Sequence, residues 1–111
     1  MAKFVYLYRG GNVPEDLRAK NMDDWSAWIK DMSDKDAMVD IGAPMAGGKV
    51  VSLSNGTRDF SWESDSGVGG YSLVKAASLD EAVTLTEGCP QLAEEYGAGT
   101  IEVREFIEVA M

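Results

Sequence analysis

The segment 2–9, AKFVYLYR, constrains the fold most. It is rich in aromatic and β-branched residues and stops at Gly10-Gly11, the pattern of a strand ended by a turn. Alternation along a strand sends Val5 and Leu7 to one face and Phe4, Tyr6 and Tyr8 to the other, so both faces are apolar. Such a strand is central and needs cover on both sides.

The rest of the chain shows what cover is at hand. At 111 residues it is long enough for a single domain, 1–111, with one modest core. After Pro14, Asn21 or Asp23 can cap a helix in which Met22, Trp25, Ile29 and Met32 recur at spacings of three and four, with Trp28 beside the stripe. That stripe is read as a helix face packed on a sheet, and its tryptophans and methionines also suit the wall of a ligand pocket. Ile41-Gly42-Ala43-Pro44 and Gly47-Gly48 read as a loop. Residues 49–54, KVVSLS, are expected to form the second strand. Asn55-Gly56 then supplies a tight hairpin turn, 58–62 the return arm, and 63–70 a polar, glycine-rich loop.

A further strand is predicted over 70–76. Ser78-Leu-Asp-Glu81 is a capping box that opens a helix running to about Glu87. Gly88 suits the left-handed residue that closes a helix, and Pro90 prevents its resumption. An acidic, helical segment around 91–96 leads to a last alternating strand over 100–109. The order implies an α+β fold of ferredoxin-like βαββαβ type, an antiparallel sheet with two helices on one face. The opposite face, drawing on Phe4, Tyr6, Val5, Leu7, Val103 and Ile107 without alternation telling which side of each strand it takes, is too apolar for water, so a homodimer is expected.

Composition narrows the partners. Ten basic against 19 acidic side chains give a formal charge of −9, which disfavours nucleic acid and anionic membrane surfaces. No apolar run is long enough for a membrane span, and the start lacks a secretory signal, so a cytoplasmic protein is expected. With no histidine in the chain, the usual general base and the commonest metal ligand are both missing. The one cysteine, Cys89, follows a helix end whose partial negative charge raises a thiol pKa, so it reads as a packed thiol and not a nucleophile. Asp23, Asp24, Asp31, Asp34, Asp36 and Asp40 spread around a helix axis as a solvated face, and the GVGG glycines precede a strand and cannot cradle a dinucleotide. No metal and no cofactor are expected.

GGYSLVKAASLDEAV, followed by Cys89-Pro90, a glycine and TIEVREF, resembles the second half of YCII-related proteins, and KFVYLYRGG and IGAP are similar to their first half. The resemblance covers nearly the whole chain except 55–68. It implies a dimeric α+β barrel in which two ferredoxin-like subunits join their sheets. Members of that family are mostly of unknown function; some are proposed to use a histidine–aspartate acid/base pair, and a few related proteins act in the breakdown of small aromatic compounds. Here Trp25 stands where the family's histidine often does, and Cys89 and Gln91 stand where Asp-Pro or Pro-His pairs are seen. The resemblance therefore comes without the family's acid/base pair.

Tyr8, Arg9, Trp25 and Tyr71 are the candidate pocket residues, because phenols, an indole and a guanidinium on central strands and their covering helix suit a small aromatic or anionic ligand. No catalytic residue is assigned. Two readings stand: a dimeric protein that binds a small metabolite, and a histidine-independent enzyme acting on a small aromatic one.

Overall fold

In the computed structural model, which describes residues 1–54, 56–62 and 67–109, the chain forms an α+β fold built on a four-stranded antiparallel sheet. Strand β1 (Ala2–Arg9) is followed by a short 3-10 turn and helix α1 (Arg18–Asp34), then β2 (Met38–Pro44), the β3 (Lys49–Ser54) and β4 (Thr57–Trp62) hairpin, β5 (Val68–Ala76), helix α2 (Leu79–Thr84) and β6 (Thr100–Glu105). The main sheet runs β2-β5-β1-β6, so β1 is an inner strand, as its two apolar faces require.

Register assigns every side chain to a face. Phe4, Tyr6 and Tyr8 oppose Val74, Ser72 and Gly70 of β5, and Tyr6 and Tyr8 oppose Val103 and Ile101 of β6. This set points towards the helices, so Phe4, Tyr6 and Val103 do not belong to the uncovered face as expected, and Val5 and Leu7 do. Tyr6 lies 6.3 Å from Trp28 of α1 between ring centres and donates its hydroxyl proton to the Ala82 carbonyl of α2, so both helices meet the same face. Phe4, Tyr6, Met32 and Val74 are the largest fully buried side chains.

Several local devices act as the sequence indicates. The Ser78 hydroxyl accepts from the Glu81 amide at 3.1 Å and caps α2. Gly88 takes the expected left-handed φ of +78°, but α2 ends at Thr84, short of the expected Glu87, so this glycine turns the chain beyond the helix and does not close it.

Four other boundaries differ from expectation. The second strand of the main sheet is Met38–Pro44 and not 49–54; β3 and β4 pair only with each other as a separate two-stranded sheet. Two register shifts interrupt β2, and at the second Gly42 adopts a φ of +71° while its amide donates to Asp40 Oδ1 at 2.8 Å. A bulged strand loses the strict alternation by which strands are recognised. Helix α1 starts at Arg18, ahead of the Asn21 and Asp23 caps, because the 3-10 turn Glu15–Leu17 leads into it without a side-chain cap. Strand β5 already begins at Val68, within the expected loop, whose residues 63–66, like Asn55 of the hairpin turn, lie outside the described residues. Strand β6 ends at Glu105, and Ile107 beyond it is 85% exposed. Among the described residues no helix is long and apolar enough to cross a membrane.

Candidate functional site

At the end of the sheet where β1 leaves for α1, a cleft of about 480 Å³ opens between α1, β2 and β5. That volume lies within the range of small-molecule sites. Helix α1 supplies Trp25, Ile29 and the half-turn around Met22 to one wall. The other wall is backbone-rich: the Gly42 bulge, Pro44, and Gly69-Gly70 at the start of β5 keep the strands bare where the cleft needs room. A Cβ at Gly42 would run into the Tyr71 carbonyl, which ties the bulge to glycine on steric as well as dihedral grounds.

Three of the four expected pocket residues come together here. Tyr8 and Trp25 pack edge to face with ring centres 5.2 Å apart, and Trp25 meets Trp28 the same way at 5.8 Å. Tyr71 borders the cleft from β5, but its pairing with Leu7 puts it on the opposite face of the sheet from Tyr8. Arg9 does not join them. It stands one residue past Tyr8, on the opposite sheet face, and its guanidinium lies 3.5 Å from Glu102 of β6. Only its backbone approaches the site: the Gln91 side-chain amide donates to the Arg9 carbonyl at 2.9 Å and to that of Gly10 at 3.3 Å. No charged side chain is found among the described residues that line the cleft.

The polar groups at its base form a directed chain. Tyr8 donates to Ser72 Oγ at 2.8 Å, and Ser72 donates onward to the Ile41 carbonyl at 2.8 Å. Burial pushes the Tyr8 hydroxyl pKa well above the phenol range, against a smaller opposing pull from Ser72. Tyr6, behind it, is raised by burial in the same way. Cys89 is 2% exposed, and burial pushes its thiol from an ordinary 9.0 up to about 12, outweighing a bond from the Gln91 backbone. Desolvation, and not the helix end alone, keeps this thiol protonated. Tyr6, Tyr8 and Cys89 therefore stay protonated at neutral pH.

A separate cluster lies outside the cleft, where Lys20 meets Glu95 at 3.0 Å and Tyr96 donates to Asp24 at 2.5 Å. The Tyr96 hydrogen bond, ahead of Lys20, holds the Asp24 carboxyl below its usual range. These contacts pin the 90–97 turns to α1 and so fix the Gln91 corner of the site. Among the described residues no group of three or more carboxylates or thiols could hold a metal ion.

Sequence reasoning found the aromatic wall from its spacing. It did not foresee the roles of Ser72, Gln91 and the Gly42 bulge, which arise only once β1, β2, β5 and the 90–92 turn are brought together. No protein-family model matches the chain, and no curated protein matches it in sequence.

Proposed function

We propose that this chain is a ferredoxin-like subunit of a homodimer that binds a small, flat, largely apolar molecule in the Tyr8–Trp25 cleft without turning it over. The observation that carries this reading is the cleft itself: about 480 Å³, walled by Trp25, Ile29 and Pro44, with a few convergent polar groups at its base. The strand order β2-β5-β1-β6 and the two helices on one face support the ferredoxin-like assignment. Kinship with YCII-related proteins and a cytoplasmic setting belong to the same proposal.

Binding is favoured over turnover by the protonation states. Tyr6, Tyr8 and Cys89 are all shifted towards their neutral forms, away from the match to neutral pH that acid/base catalysis needs. The dimer is supported by the bare sheet face: Val5, Leu7, Tyr71 and Leu73 form a half-buried apolar centre with Lys3, Arg9, Glu102 and Arg104 around it. A patch with an apolar centre and a rim of both charge signs complements a second copy of itself.

Thermal-shift measurement against uncharged aromatic compounds tests the binding claim, because a ligand selective for the folded state raises the melting temperature. Positive shifts are expected. Ser26→Trp, which places a bulky side chain at the exposed cleft mouth, should abolish them without lowering the melting temperature of the unliganded protein by more than a few degrees. Shifts that survive this substitution would place binding elsewhere.

A further inference from the structure

The hydrogen-bond directions in the cleft specify what its ligand must offer. The Ile41 carbonyl can only accept, so Ser72, 2.8 Å away, must spend its one proton there. Ser72 can then only accept from Tyr8, which commits the Tyr8 proton as well. Gln91 is fixed by the same logic: both of its partners are carbonyl oxygens, so the nitrogen faces them with its two protons and the amide oxygen is left as an acceptor. The donors of Tyr8, Ser72 and Gln91 are therefore engaged, and the capacity that remains on these three is acceptor capacity. Donors outside this hydrogen-bonded set include the indole N–H of the half-buried Trp25 in the wall and the hydroxyl of Ser26, exposed at the mouth.

Resting on the reading of this cleft as a ligand site, we infer that its ligand class is neutral aromatic hydrogen-bond donors, of phenol or indole type, and that Tyr8 is the residue that selects the donor. An aromatic carboxylate meets lone pairs at the base of the cleft and no charged partner in its described lining, so it loses its hydration without replacement. A donor-bearing ring stacks in the Trp25 wall and gives its proton to the Tyr8 oxygen. Burial keeps that hydroxyl neutral, which preserves both the chain to Ser72 and the free lone pair.

Calorimetric titration with three matched probes decides the matter: indole, 1-methylindole, which keeps the ring and loses the donor, and indole-3-carboxylate, which adds a charge. Indole should bind about tenfold or more tightly than 1-methylindole, the effect of one well-placed hydrogen bond in a desolvated site. The carboxylate should bind more weakly than either. In Tyr8→Phe, indole should fall to the level of 1-methylindole while 1-methylindole stays within about threefold of its parent value. Equal binding of indole and 1-methylindole, or tightest binding of the carboxylate, overturns the donor requirement and leaves the cleft standing as a ligand site. Binding by none of the three removes the cleft reading and this inference together. The parent protein alone yields these comparisons if Tyr8→Phe does not fold.

Discussion

The two faces of the main sheet both carry apolar side chains and meet opposite fates. On one, Phe4, Tyr6, Ser72 and Val74 are buried beneath α1 and α2. On the other, Val5, Leu7, Tyr71 and Leu73 are only half-buried, and the molecule is 19 Å across its narrowest direction, room for a sheet and a single helix layer. Polar groups divide in the same way. Beneath the helices each buried hydroxyl has a partner, Tyr6 on Ala82 and Tyr8 on Ser72, whereas across the sheet the polar groups are charges at the rim, Arg9 with Glu102 and Glu102 with Arg104. One face is thus finished within the chain, and the other has the makeup of an interface. The first governs whether the protein folds, and the second is the face through which the proposed dimer would form.

Substitutions can pull the two faces apart. The largest effect is expected under the helices: Phe4→Ala, at a fully buried position, should reduce stability by about 3–5 kcal/mol in urea unfolding, and Val103→Asp, packed against the same core, should prevent folding. Val5→Asp, one residue away on the other face, should instead halve the particle mass while circular dichroism retains the folded spectrum. If Val5→Asp unfolds the chain as Val103→Asp does, the distinction between the faces fails.

pH sharpens the comparison, because the raised groups sit on the closed side. Cys89 moves from 9.0 in its ordinary state to about 12 when folded, so the folded state holds the thiol proton more tightly than the unfolded chain. That contribution is complete below pH 9 and is lost as pH rises from 9.0 towards about 12, with Tyr6 and Tyr8 acting in the same direction. Unfolding titrations should show stability falling across this alkaline window, and Cys89 should react with a thiol reagent at neutral pH only as fast as the chain opens. Rapid labelling of the native protein would contradict the burial of Cys89. The smallest effect belongs to the α2 cap: Ser78→Ala should cost about 1 kcal/mol and leave particle mass and ligand affinity unchanged.

How much of this was legible in the residues depended on whether a signal was local. Strand β1 and the Ser78 cap each rest on a few adjacent residues and a fixed conformational preference, and each is where the sequence puts it, whereas Gly88 takes its left-handed conformation only after α2 has already ended. Strand β2 was missed because Asp40, Gly42 and Pro44 look like turn residues; the bulge that accommodates them is stabilised by pairing with β5, which no window of sequence contains. The candidate site divides in the same way. Tyr8 and Trp25 followed from strand alternation and helix spacing. Arg9, grouped with Tyr8 as a neighbour in sequence, shares instead the parity of Val5 and Leu7, so alternation sends it to the other face. Ser72 and Gln91 reach the cleft through contacts spanning 64 and 82 positions in the chain, and nothing local marks either.

The central claim, that the open face of the sheet is built to meet a second copy of the chain, is tested most directly by multi-angle light scattering at micromolar concentration, with the parent protein and Val5→Asp run side by side. The account predicts the mass of two chains for the parent and of one folded chain for the variant. A parent protein that runs as a stable, folded single chain would contradict it.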